Sequence, residues 1–150
     1  MELADEIIIN APKDQVYAAL NDPEILKQCI PGCEELIKHS DTKLEAKVVL
    51  KVGPVKARFG GEVQLDTAGA PDAFSLTGKG NGGTAGNAKG GADVTLTTEG
   101  DTTILRYEAK AEISGKLAQL GSRLIQSTAK KLAAKFFKSF ADVVNEDAAA

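Results

Sequence analysis

The chain ends in the stretch LAQLGSRLIQSTAKKLAAKFFKSFADVVN, residues 117 to 145. Apolar side chains recur in it at every fourth residue, which is the spacing of one face of an α-helix. This ridge comprises Leu120, Leu124, Thr128, Leu132, Phe136, Phe140 and Val144, flanked by Leu117, Ile125, Ala129, Ala133 and Phe137. Gly121 lies inside the predicted helix, where glycine costs about 1 kcal/mol relative to alanine. We therefore expect one long terminal helix that another backbone approaches closely at Gly121.

The same stretch is strongly basic, whereas the rest of the chain is acidic. Six basic residues and no acid lie between Gly115 and Lys138, while residues 1–114 carry 12 basic and 18 acidic side chains. Nucleic-acid binders are usually basic overall or carry stacking aromatics beside their charges. This chain has a net charge of −3 and no Trp, which argues against nucleic acid. The basic face is expected either to be solvated and balanced by the acidic body, or to meet anionic lipid headgroups or an acidic partner.

The body of the chain reads as an antiparallel sheet preceded by two short helices. The β-branched run Ile7-Ile8-Ile9 predicts a first strand within residues 3–10. Pro12 in a first turn, after a cap at residue 10 or 11, and Pro23 after a capping Asp22 predict two helix starts. From residue 44 to 113, apolar and polar residues alternate as in about six strands. We predict an α+β fold, because only the terminal helix is long enough to cover the apolar face of this sheet.

Many of the predicted inward-facing positions carry small side chains. They are Ala46, Ala57, Gly61, Gly78, Gly80, Ala92, Ala109 and Ala111. Protein cores normally fill to crystal-like density, so either the helix lies close to the sheet or a cavity remains for an apolar molecule. A highly curved sheet favours the cavity, in which Thr103, Tyr107 and Thr128 would orient a ligand.

Motifs of catalysis, cofactor binding and metal binding are weak in this sequence. Residues 78–83 match GxGxxG, but seven glycines within residues 78–91 favour a flexible hairpin over the helix that a nucleotide site requires. Cys29 and Cys33 with a single histidine cannot supply the four ligands of a structural zinc, so we expect reduced thiols and no metal. His39 lacks a partnered nucleophile and is expected to be solvated. Arg123 is expected either to pair with Glu24 or Asp22 or to stand at the cavity mouth.

Two segments resemble the family of the carbon monoxide dehydrogenase G subunit, which belongs to the START-like (SRPBCC) helix-grip superfamily. They are NDPEIL to CIPGCE, within residues 21–34, and GKLAQLGSRLI, residues 115–125. The resemblance extends over about residues 3–144 and implies a curved seven-stranded antiparallel sheet around the C-terminal helix, with a hydrophobic cavity between them. We accordingly expect a single domain over 1–146 and a short disordered tail over 147–150.

The resemblance also implies a function. The family is not the catalytic subunit of the molybdenum enzyme; it is associated with recruiting that molybdenum hydroxylase to the cytoplasmic membrane, and a quinone suits its cavity. We expect a cytoplasmic protein, peripheral at the inner face of the membrane, that carries a quinone or another apolar ligand and no covalent cofactor. One alternative is a docking or maturation factor of the dehydrogenase with an incidental cavity. The other is an enzyme acting on an apolar substrate, since some helix-grip relatives cyclise or hydrolyse their guests.

Two sets of residues carry these expectations, and no catalytic or metal-binding residue is among them. The predicted cavity wall consists of Val48, Leu50, Phe59, Val63, Phe74, Leu105, Tyr107, Leu120 and Leu124. The predicted membrane or partner surface consists of Lys130, Lys131, Lys135, Lys138 and Phe137.

Overall fold

A computed structural model describes the backbone of residues 1–149 and the side chains of residues 1–145. Its strands are β1 (Glu2–Ile9), β2 (Cys33–Ser40), β3 (Lys43–Val52), β4 (Val55–Asp66), β5 (Ala73–Asn81), β6 (Asn87–Glu99) and β7 (Thr102–Ser114). Its helices are α1 (Lys13–Leu20), α2 (Pro23–Cys29) and α3 (Ser122–Ala149), with short 3-10 turns at Gly83–Ala85 and Gly115–Leu120. The predicted α+β class, with two short helices between the first two strands, is confirmed.

The seven strands form one antiparallel sheet in the order β1-β7-β6-β5-β4-β3-β2. After β1 the chain crosses through α1 and α2 to the opposite edge, and then returns by successive hairpins until β7 lies beside β1. One face of the sheet is therefore left for α3 to cover, which is the predicted helix-grip arrangement. The GxGxxG segment belongs to the β5–β6 hairpin, as expected.

Glycine permits close contacts between neighbouring strands in the centre of the sheet. A Cβ atom at Gly90 would lie 2.2 Å from the carbonyl oxygen of Lys110, and one at Gly91 would lie 2.8 Å from that of Leu76. Both distances are too short for any side chain, so only glycine allows β6 to approach its two neighbours this closely. The small residues of the sequence thus have a structural role in shaping the sheet.

The terminal helix begins later than the sequence suggests. Residues Gly115–Leu120 form a 3-10 turn, Gly121 has a φ of +97°, and α3 starts at Ser122. A Cβ atom at Gly121 would have no heavy atom within 4 Å, so the predicted close approach of another backbone was wrong. Glycine is needed there because the left-handed conformation is unfavourable for other residues. Asp22 caps α2 as predicted, its Oδ1 accepting a hydrogen bond from the N–H of Glu24 at 2.9 Å.

Two further predictions concern the ends of helices. Pro12 is itself the N-cap of α1 and does not lie in its first turn, so that prediction was wrong by one residue. Of the predicted tail, 147–150, the last residue and all side chains lie outside the described residues, and its disorder stays a prediction.

The core is divided into two apolar clusters at opposite ends of α3. Phe140 and Val144 are fully buried in the first cluster, with Ile9, Val16 and Leu105. The second cluster, near the start of α3, contains Val52, Phe59, Ala85 and Leu117, against which Leu120 and Leu124 pack. Residues 125–132 of α3 belong to neither cluster. The middle of the helix therefore faces the sheet without being packed into it.

Candidate functional site

A cavity of about 240 Å³ lies between the sheet and the middle of α3. Its wall consists of Met1, Leu50, Val52, Phe59, Gly80, Ala88, Ile113, Leu117, Ile125, Thr128, Ala129 and Leu132. Thr128 is the one member of this wall with a polar side chain, and none of the twelve has a charged side chain. Because burying a charge without a partner is very costly, such a wall selects an uncharged, apolar molecule.

The cavity exists because small residues face one another across the sheet beneath the helix. Gly80 on β5 pairs directly with Ala88 on β6, and both line the cavity. The two apolar clusters hold α3 in place near its two ends, so the middle of the helix does not pack down onto Gly80 and Ala88. An apolar pocket of this kind can take up an apolar guest.

The structure distributes the nine predicted wall residues over several places. Leu50 and Phe59 lie in the wall of the cavity. Val48, Leu120 and Leu124 pack against the second cluster, beside the cavity. Phe74, Leu105 and Tyr107 belong to the first cluster, and Val63 lies further along β4. Contact of these nine residues with a ligand stays a prediction. Alternation along a strand predicts the face of the sheet on which a side chain lies, but not its distance from α3, which is why the predicted residues are scattered.

Several wall residues lay outside the predicted set of nine, although Thr128 was expected to orient a ligand and most of the others belong to a pattern that the sequence shows. Thr128 and Leu132 belong to the apolar ridge of the terminal helix, and Ile125 and Ala129 flank it. Gly80 was among the small inward residues. No sequence pattern predicted Met1 as a wall residue. Its position depends on the pairing of β1 with β7, where its backbone exchanges hydrogen bonds with Ala111.

Tyr107 lies outside this wall and stacks on Phe137, with 5.2 Å between the ring centroids. Asp5 is its direct partner in the β1–β7 register. Burial, and to a lesser degree the Asp5 carboxylate, raise the pKa of the Tyr107 phenol. The Asp5 carboxylate is exposed, and neither Asp5 nor Tyr107 lies in the cavity wall. The titratable groups that an enzyme would need are therefore not gathered in the cavity wall.

The outer face of α3 carries the predicted basic surface. Lys130, Lys131, Lys135 and Lys138 are all exposed, and Lys138 pairs with Asp142 at 3.2 Å. Phe137 is half-buried against Tyr107, so this face presents its cations without an exposed phenylalanine.

Arg123 is also exposed, at the start of the same helix. Neither Glu24 nor Asp22 lies within ion-pair distance of it, so the predicted pairing was wrong. Within the part of the chain whose side chains are described, Arg123, Lys130, Lys131 and Lys135 make no ion pair. Among the described side chains, these four cations are therefore not paired with carboxylates of the acidic body.

The cysteines and the histidine are placed much as the sequence indicated. Both thiols are free; Cys29 is buried and Cys33 half-buried, and burial raises the pKa of each. His39 is exposed and contacts Glu45 at 2.7 Å. Among residues 1–145, no three side chains of His, Cys, Asp or Glu come together in a geometry that would hold a metal ion.

Comparison with known proteins places this geometry in a family. The family model for the G subunit of carbon monoxide dehydrogenase (CoxG) matches residues 6–145. No curated protein is similar enough in sequence to match. Over the described residues, every helix is too short or too polar to cross a lipid bilayer.

Three solved structures show the same fold. A conserved protein from Geobacillus kaustophilus is 27% identical, with a TM-score of 0.90 over 97% of this chain and 96% of that one. A START superfamily protein from Mycobacterium smegmatis is 14% identical, with a TM-score of 0.71 over 97% of each chain. A STAR-related lipid transfer protein from Xanthomonas axonopodis is 19% identical, with a TM-score of 0.66 over 96% of this chain and 85% of that one.

Proposed function

Since the chain belongs to the CoxG family, that of the carbon monoxide dehydrogenase G subunit, we propose that it is a non-catalytic carrier of an apolar, quinone-like molecule. In this proposal it couples a molybdenum hydroxylase of the carbon monoxide dehydrogenase type to the membrane. The observation that carries the proposal is the uncharged cavity of about 240 Å³ between α3 and the sheet.

The chemistry of the cavity favours an uncharged guest with few polar atoms. A quinone has no charge, and the wholly apolar surface that the wall presents to the cavity suits its ring or its tail. The volume is below the ~300 Å³ at which pockets for drug-sized ligands begin. The cavity therefore suits one ring or the end of a chain rather than a whole long-tailed quinone.

The outer face of α3 supports the membrane part of the proposal. Arg123, Lys130, Lys131 and Lys135 project from it without ion pairs among the described side chains. A cationic side chain near an anionic membrane surface contributes about 1 kcal/mol to binding. Four such side chains on one helix are enough for reversible, peripheral contact.

A docking or maturation factor is the second candidate, and the same basic face favours it. An acidic surface on the dehydrogenase would be attracted to these cations, and the cavity would then be incidental. The two candidates differ in one respect: binding of the dehydrogenase should survive filling of the cavity if the cavity has no role.

Native mass spectrometry of the purified protein, with and without a short-tailed benzoquinone, tests the carrier proposal. We expect a one-to-one complex that is lost in Ala129→Phe, which fills the cavity from α3. Ser127→Phe is the matched control, because Ser127 lies on the exposed face of the same helix. A wild-type protein that stays empty in the presence of the quinone would overturn the proposal.

A further inference from the structure

A second depression, of about 550 Å³, lies between the outer edge of β1 and α3. Its apolar side chains include Leu3, Ile7, Tyr107 and Phe137, and the last two form the stacked aromatic pair. Unlike the cavity, this β1–α3 groove also contains charged groups. It therefore combines an aromatic surface with polar groups, as sites that orient a ligand usually do.

The charged groups of the groove have both signs. Lys130 borders it on α3, and Asp5 contributes a carboxylate from β1, whereas the Glu2 carboxylate is directed towards Lys110 at 3.8 Å. An anionic head would meet the Asp5 carboxylate and a cationic head would meet the Lys130 ammonium group. An uncharged head avoids repulsion by either charge. If it carries oxygen atoms, they can accept a hydrogen bond from Lys130.

The groove and the cavity are lined by consecutive residues at the start of β1. Met1 lines the cavity and Glu2, the next residue, lines the groove. The side-chain amide of Gln126 on α3 donates a hydrogen bond to the carbonyl oxygen of Glu2 at 2.7 Å, linking the helix to the strand at this junction. Met1 is 38% exposed although it lines the cavity. The Met1 side chain and the Gln126–Glu2 hydrogen bond are therefore next to both compartments.

We propose that the β1–α3 groove holds the polar head of a ligand whose apolar end occupies the cavity. The ligand class is an amphipathic molecule with a flat, uncharged, oxygen-bearing ring and an apolar chain. The ring lies against Tyr107 and Phe137 within reach of Lys130, and the chain passes Met1 into the cavity. This inference rests on the proposed carrier function, and it explains how a cavity smaller than most ligand pockets serves a longer molecule.

Two probes test the groove separately from the cavity. They are a decyl-tailed dimethoxy benzoquinone and n-octane. Each is titrated into the full chain, and binding is followed by NMR. Ala133→Trp fills the groove, Ala129→Phe fills the cavity, and Ser127→Trp on the exposed face is the control. We expect Ala133→Trp to weaken binding of the quinone at least tenfold and to leave octane binding unchanged. Ala129→Phe should weaken both, and the control neither.

A second readout does not depend on any substitution. In the wild-type complex, the ring methoxy protons should show nuclear Overhauser contacts to Phe137, and the chain methyl to Ile125 and Leu132. Ring contacts to Leu132, or quinone binding that Ala133→Trp leaves unchanged, would overturn the groove while octane binding still supported the carrier. If neither probe binds the wild-type protein, the inference and the proposed function both fail.

Discussion

Gly80 and Ala88 lie directly opposite each other on β5 and β6, and both face the cavity beneath α3. A side chain of ordinary size at either position would occupy the space that we assign to a ligand. A Cβ atom at Gly80 would meet nothing closer than 3.8 Å, so the backbone does not require glycine there. The small residues of this pair thus leave room that the packing of the sheet itself does not demand.

Filling the cavity should increase the stability of the protein and abolish ligand binding. We expect Ala88→Leu to raise the free energy of unfolding by about 0.5–2 kcal/mol, because it replaces empty space with apolar contacts. The same change should abolish uptake of the short-tailed quinone. Thermal unfolding and native mass spectrometry measure the two effects, and a destabilised protein that still binds the quinone would contradict the assigned position of the cavity.

Much of the fold followed from local pattern. The alternation from residue 44 to 113, the capping Asp22 and the apolar ridge of the terminal helix each depend on neighbours in the sequence. The cavity wall could be predicted only in part, because Leu50 and Leu105 both face inward and yet lie at different ends of the sheet. The register of the strands and the tilt of α3 decide which of the two can contact a ligand. A local sequence pattern predicts neither.

The start of α3 shows another limit of the sequence. Gly121 interrupts an apolar ridge that continues on both sides, so the ridge predicts one helix where the structure has a 3-10 turn and then α3. Because φ and ψ at this residue are +97° and 148°, a region essentially limited to glycine, we expect Gly121→Ala to destabilise the protein by about 1–3 kcal/mol. Gly60→Ala is the control, as Gly60 has open space around it and no positive φ. Urea unfolding that gives equal stabilities for the two variants would argue against the left-handed turn.

The first cluster should hold most of the stability of α3. Phe140 is completely buried there and stacks on Phe136, with 5.8 Å between the ring centroids. Truncation of a buried phenylalanine to alanine typically costs about 3–5 kcal/mol, and we expect Phe140→Ala to fall in this range. The half-buried Phe137 provides the comparison, since Phe137→Ala should cost less. Chemical denaturation of both variants tests the order.

The buried thiol gives a pH dependence with a definite sign. Burial raises the pKa of Cys29 in the folded protein, so the unfolded chain releases this proton first as the pH rises past about 8.5. The free energy of unfolding should therefore fall with increasing pH from that point until the folded thiol also titrates. Cys29→Ala should lower the whole curve and reduce this slope. A slope unchanged by the substitution would assign the effect to other groups.

The basic face of α3 can be tested against a matched set of lysines elsewhere on the molecule. Replacing Lys130, Lys131 and Lys135 by glutamine removes three cations from one helix face, at about 1 kcal/mol each near an anionic surface. We expect binding to vesicles containing phosphatidylserine to weaken about a hundredfold, because each ~1.4 kcal/mol corresponds to a factor of ten.

The control replaces the exposed Lys43, Lys51 and Lys56 of the sheet by glutamine, which changes the net charge by the same amount. Vesicle flotation at low and high salt should distinguish the two variants only at low salt, since screening shortens the reach of exposed charges. If both triple variants lose vesicle binding equally, net charge and not the α3 face governs the contact. If the α3 variant keeps its vesicle binding but loses the dehydrogenase, the cations form a protein interface, and the docking function is the one they support.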